Sequence, residues 1–238
     1  MELYIWSSNA KPDALHFLVA LYFAIGFPVA RFLLDKFIFR RLSVWLLSNG
    51  SAPLRMNEAT QVKITKCSES MWKFTYFATV ETWVLKITYY EPWFGDSKGY
   101  FKDWPNQELN FFRIGSIILA LHDASDVFLE AAKVFKYSER EHGASACFGL
   151  FAISWLVLRI IIFPFWVIKS SSYDVMECLS LSESYSKFLY YFLNTMLFML
   201  LVFHVYWWVL IYSMIMRQWQ NRGKVGEDIR SDSEDDGD

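Results

Sequence analysis

Disulfide frameworks, zinc motifs and phosphate-cradling loops are all missing from this chain of 238 residues. Its three cysteines, Cys67, Cys147 and Cys178, are odd in number and scattered without metal-ligand spacing, so neither a disulfide scaffold nor a bound metal is expected. No Gly-rich phosphate loop occurs, and a net charge of -2 supplies no basic surface for nucleic acid. No inverted repeat is visible, which argues against a transporter. Polar residues are also scarce for a soluble domain: 54% of the chain is hydrophobic and 19% aromatic, with mean hydropathy +0.20. This composition belongs in a membrane.

Crossing the hydrocarbon layer takes about 20 apolar residues in helical form. Five stretches qualify, and together they predict an all-α, polytopic helical bundle. The first, Ala14 to Leu34, is too long for a signal-peptide core and has Arg31 and Asp35 where a cleavage site would fall, so it reads as an uncleaved anchor. The second, Met71 to Tyr90, repeats Thr75, Thr79, Thr82 and Lys86 at helical spacing, a face expected to look inward. The third is Phe111 to Ala131 and the fourth Cys147 to Ile168; the fifth, Phe188 to Met216, has no formal charge.

Lysine and arginine fall unevenly between the two sides. Lys36, Arg40, Arg41, Arg55, Lys63 and Lys66 follow the first span; Lys133, Lys136 and Arg140 follow the third; Arg217, Arg222, Lys224 and Arg230 follow the fifth. Cytoplasmic loops carry such an excess, so residues 1–13 are expected in a lumen, the transmembrane domain over 14–216, and the acidic tail 217–238 in the cytosol. The sequon Asn49-Gly50-Ser51 then lies on the cytosolic side, where glycosylation does not occur. In the tail, Ser231 and Ser233 each precede an acidic residue by three positions, a spacing that suits an acid-directed kinase.

Within the third span, ILALHDASDVFLE sets His122, Asp123, Asp126 and Glu130 on one side of a helix. Ionisable groups at membrane depth are expensive and are usually kept for a task. An imidazole flanked by carboxylates is a candidate general base. The same cluster can instead pair with Arg113, Lys73 or Lys86 across the bundle. Of the other histidines, His16 is expected at an interface, His142 in solvent, and His204 deep in the fifth span, where packing competes with a place in the site.

The run FFRIGSIILALHDASDVFLEAAKVFKY (Phe111 to Tyr137) resembles the second half of the motif of ceramide synthases, the longevity-assurance branch of the TLC-domain membrane proteins. SESMWKFTYF (Ser68 to Phe77), WFGDSKGYFKDWPNQ (Trp93 to Gln107) and YFLNTMLFMLLVFHVYWW are also similar to that family, and the tail GKVGEDIRSDSEDDGD looks closest to its plant members. The resemblance implies a multi-pass protein of the endoplasmic reticulum membrane that joins a sphingoid base to a fatty acyl group, in sphingolipid biosynthesis. Acyl-CoA is its co-substrate, and no other cofactor is implied. His122, Asp123 and Asp126 match the HDxxD portion of the motif and are the catalytic candidates; Arg113 and Glu130 match its ends and, with His204, are candidates for binding substrate.

The first half of that motif, which carries two adjacent histidines, does not occur here: all four histidines are isolated, and Asn110 runs straight into Phe111 where the family inserts about two more spans. A seven-helix architecture becomes five. Removing two spans preserves the parity of crossings, so the charge-derived topology stays self-consistent. Two expectations follow: an acyltransferase resting on His122, Asp123 and Asp126, or an impaired form that associates as a homo- or heterodimer with full-length relatives.

Overall fold

The computed structural model describes residues 14–48, 56–96, 99–100, 112–178 and 184–220. The Asn49 sequon, the Asn110–Phe111 junction, Ser231, Ser233 and residues 1–13 lie outside the described residues. Among the described residues there is no strand, in line with the all-α reading.

Helix α1 spans Ala14–Leu34, the bounds its hydropathy suggests. The chain does not then enter a loop, as the charge count led us to expect. It passes through a wider, π-type turn at Asp35–Phe39 into α2, Arg40–Ser48. The reason is local: neither glycine nor proline occurs between Leu34 and Ser48, and the first breaker is Asn49-Gly50. The apolar window of this helix buries none of its residues among the described ones, although the Phe27 ring meets the Tyr76 ring edge-on at 5.8 Å. Its hold on the bundle is at the α2 end, where Ser68 donates to the Asp35 carboxylate and Phe39 packs with Cys67 and Met71.

Helix α3, Glu58–Thr88, starts earlier than the second apolar stretch because Asn57 caps it, its side-chain oxygen accepting the Thr60 N–H at 2.9 Å. Its inward face is Ile64, Cys67, Ser68, Met71 and Thr88. The expected inward face is therefore corrected: Thr79, Thr82 and Lys86 are exposed. The threonines tolerate this because their hydroxyls bond back to their own helix, Thr75 to the Met71 carbonyl and Thr82 to that of Ala78.

Helix α4, Phe112–Tyr137, packs along α3 on one side and α5, Glu141–Trp155, on the other. The α4–α5 turn is tight. Glu139 takes a positive φ of 59°, and Gly143 lies so close to the Phe135 ring that a Cβ would stand 2.8 Å from it. Helix α5 then runs on through π-type turns, Leu156–Ile168 and Ser170–Asp174, into α6, Val175–Cys178. Pro164 lies inside this stretch and has no N–H to give, so the normal ladder cannot be complete there. Helix α7, Ser184–Gln220, closes the bundle against that segment.

Among the described residues, three helical bodies are both long and apolar enough to cross a membrane: Phe17–Ser48, Glu141–Asp174 and Tyr190–Gln220. Helices α3 and α4 match them in length, with 31 and 26 residues, but carry more polar groups. The chain is an all-α, multi-pass membrane protein. Besides the Phe39–Cys67–Met71 cluster, the described residues pack in two further apolar clusters: Ile114, Ile117, Phe163 and Val167 at one level, and Ala132, Phe148, Phe151, Trp155 and Ile211 at the other. On α4, residues 117 and 132 bracket His122 and Asp126, so the ionisable groups form a polar layer between two dry ones.

Candidate functional site

The polar layer is built by α4, the π-type part of α5, and α7. His122 projects from α4 with its Nδ1 2.6 Å from the Ile118 carbonyl, one turn back. A carbonyl only accepts, so Nδ1 carries the proton and Nε2 of a neutral His122 is an acceptor. That Nε2 lies 2.8 Å from Nε2 of His204 on α7. His204 must therefore donate from Nε2, which leaves its Nδ1 bare. This Nδ1 is buried, in a side chain only 2% exposed, and lies near the Arg159 backbone without a well-aligned hydrogen bond among the described residues. Two histidines 82 positions apart thus form one hydrogen-bonded unit. The Phe163 ring stands edge-on to both imidazoles, at 6.0 and 4.9 Å, and fixes their planes.

The second element is an ion pair that the sequence reading missed. Arg159, 6% exposed, donates from one terminal nitrogen to the His122 carbonyl at 2.7 Å and to Asp126 at 3.0 Å. Its guanidinium lies 3.9 Å over the Trp155 ring, a cation–π contact in a dry setting. Neither Arg113, Lys73 nor Lys86 supplies Asp126 with its charge, although all three were candidates. Arg159 had a signal: it is the single cation in LVLRIIIFPFWVI, and a lone charge at membrane depth needs a partner.

Asp123 is buried on the neighbouring face, within electrostatic range of Asp126 and of Glu81 on α3. Glu130, one turn beyond Asp126, binds Lys133 through one oxygen at 2.9 Å; its other oxygen is buried without a partner among the described residues. Arg113 stands apart. It ties the α4 start to the preceding loop by donating to the Gly99 carbonyl at 2.9 Å, about 13 Å along α4 from His122. Tyr100 of that loop is buried, its hydroxyl accepting from Trp166 of the Leu156–Ile168 stretch at 2.8 Å, and burial pushes its phenol up. His142 is exposed, as expected of a solvated residue, and the His16 side chain lies outside the described residues. Among the described residues no three metal-ligating side chains come together.

A cavity of about 430 Å³ opens beside this layer, between α3, α4, α5 and α7. Asp126, Glu130, Arg159 and Trp155 contribute to its wall, and Phe148, Phe151 and Trp207 keep most of it apolar. The arrangement offers a buried base, a fixed cation and a dry channel, the parts an acyl transfer between hydrophobic reactants requires.

Comparison with known proteins agrees with that chemistry. The TLC domain matches residues 108–213. The chain is similar to "Ceramide synthase LOH2" of Arabidopsis thaliana, 49% identical with 95% of this chain and 94% of the relative covered. It is 45% identical to "ASC1-like protein 3" of Oryza sativa subsp. japonica, with 94% and 98% covered. "Ceramide synthase 4" of Mus musculus is 41% identical over 53% of this chain and 31% of its own length. The first alignment runs over 279 positions against a chain of 238 residues, so at least 41 positions stand opposite gaps in this chain.

Proposed function

Since this chain belongs to the ceramide synthase family of TLC-domain proteins, we propose that it is a sphingoid base N-acyltransferase of the endoplasmic reticulum membrane that draws its acyl group from fatty acyl-CoA. The observation that carries this reading is the His122–His204 pair, set behind the Asp126–Arg159 ion pair that forms part of the wall of the apolar cavity. The product is a ceramide. The N-terminus faces the lumen and the C-terminus the cytosol, which the distribution of lysine and arginine supports.

A sphingoid amine is mostly protonated near neutral pH, and an ammonium is no nucleophile. His204 Nδ1 takes one proton from it, and that proton leaves to solvent. As the amine nitrogen then attacks the thioester carbonyl, an N–C bond forms and the C–S bond breaks. The second nitrogen proton passes through the same imidazole to the departing coenzyme A thiolate. His122 holds His204 in the tautomer that leaves Nδ1 open, and Ile118 fixes His122 in turn. Arg159 has an unpartnered Nε within the described residues and is placed to hold the carbonyl oxygen as charge develops on it. Asp126 keeps that guanidinium in position, and Asp123 lies within electrostatic range of the same guanidinium.

The spatial histidine pair occupies the role that two adjacent histidines hold in the family motif. The alignment shortfall of at least 41 positions supports a missing segment of about two spans, placed by us between Asn110 and Phe111. The test is to express the chain in membranes without endogenous ceramide synthesis and to supply labelled sphinganine with acyl-CoA. Labelled ceramide that disappears in His122→Ala supports the reading. Product equal to the His122→Ala background refutes it, and co-purification with a full-length relative would then favour the dimer expectation.

A further inference from the structure

The cavity has one cationic end, and catalysis does not explain it. Lys73 of α3 and Lys133 and Lys136 of α4 line the same opening, while the walls beyond them are aromatic and aliphatic. The charge distribution places this end on the cytosolic side. We propose that these three lysines hold the phosphates of the coenzyme A nucleotide and that Glu130 accepts an amide N–H of the pantetheine arm, so the donor enters from the lysine end and its thioester stops beside Asp126 and Arg159. This deepens the acyltransferase reading and rests on it for the identity of the donor.

Spacing on α4 supports the assignment. Lys136, Lys133, Glu130 and Asp126 follow one another at three, three and four residues, so they climb one face of the helix. At 1.5 Å per residue, Asp126 lies about 15 Å from Lys136 and about 10 Å from Lys133. A pantetheine arm has two amide bonds and the reach of about four extended residues, roughly 14 Å. Phosphates at the lysines therefore bring the sulfur to the ion pair.

One carboxylate along this path has unused bonding capacity. Glu130 is 4% exposed, and its second oxygen, an acceptor only, has no partner among the described residues. It sits between the lysines and Arg159, at the level an arm amide would reach. Lys73 is held by Glu69 at 2.8 Å and Lys133 by Glu130 at 2.9 Å. The Lys73 pair is half exposed and such pairs are weak, so a phosphate with more charge displaces the carboxylate easily. The same three lysines could instead hold a phospholipid headgroup. A headgroup brings no arm for Glu130 and needs no channel leading to Arg159, so coenzyme A is the better fit.

The test uses the full chain purified in detergent and coenzyme A itself as the probe, with binding rather than turnover measured. Lys133→Gln with Lys136→Gln should weaken coenzyme A binding about ten-fold or more, and wild-type binding should fall as salt rises. Lys133→Arg with Lys136→Arg should bind within about three-fold of wild type, since the charge is kept. In turnover, the glutamine variant should lose acyl-CoA far more than an acyl N-acetylcysteamine thioester, which ends before the phosphates. Equal coenzyme A affinity in wild type and glutamine variant would overturn the proposal, as would displacement of coenzyme A by anionic phospholipid micelles at matched phosphate. Lysine-dependent coenzyme A binding in a chain that makes no ceramide would uphold this site and remove the acyltransferase reading alone.

Discussion

Replacing Arg159 by methionine removes a cation of similar length and leaves an apolar stem over Trp155. What is lost is the donor to the Asp126 carboxylate and the His122 carbonyl, at 3.0 and 2.7 Å. The Asp126 carboxylate is then stranded between two apolar clusters, while the His122 carbonyl keeps the Ser125 hydroxyl at 3.0 Å. Breaking a buried pair by deleting one partner costs about 3–5 kcal/mol, most of it the penalty of an uncompensated charge. For a chain of this size that corresponds to roughly 6–20 °C in Tm. The assay is thermal unfolding of the purified protein in one detergent, read by loss of monodisperse protein. Asp126→Asn in the same background removes the stranded charge and should recover more than half of the loss. Arg159→Lys should recover little, because a compact ammonium cannot serve both acceptors and stack on an indole. A Tm for Arg159→Met within about 1 °C of wild type, or no recovery on adding Asp126→Asn, would refute the view of Arg159 as the counter-ion of a dry carboxylate.

Three other outcomes are expected. Asn194 clasps Ser171 in both directions, its amide donating to the Ser171 carbonyl and its oxygen accepting from the Ser171 hydroxyl, each at 3.1 Å; Asn194→Leu should cost about 1 kcal/mol, or roughly 2–4 °C in Tm. Cys67 is fully buried and burial pushes its thiol up, so less thiolate is present at pH 8 and site-resolved mass spectrometry should find it unalkylated until the protein is denatured. Asn49 should remain unglycosylated when the chain is made in microsomes, with no shift on glycosidase treatment; an occupied sequon would reverse the topology.

Much of this molecule is legible in its sequence because lipid enforces simple rules. Helix α1 coincides with its hydropathy run, and α7 extends its run at both ends. Charge counting worked less well for local structure. Lys36, Arg40 and Arg41 predict a loop, but charge does not stop a helix and no breaker was present. The threonine face of α3 misled for a related reason: a hydroxyl bonded to its own backbone needs no neighbour, so periodicity alone cannot say which way it looks. At the site, the grouping of His122, Asp126 and Glu130 follows from helical spacing, whereas Asp123, expected with them, turns to the neighbouring face within range of Glu81. The union of His122 with His204 does not, since it depends on how α7 docks 82 residues later. Arg159 was missed because it was counted as part of an apolar run, although its isolation there was the clue.

The central claim is that His122 and His204 act as one base. Purified chain reconstituted in vesicles with sphinganine and acyl-CoA, and ceramide quantified by mass spectrometry, addresses it directly. Wild type should make ceramide, His204→Ala and His122→Ala should each lower the rate by roughly 10²–10⁴-fold, and the double variant should be no worse than the poorer single one. Ceramide formation unchanged in His204→Ala, or losses in the two single variants that multiply in the double, would contradict the account.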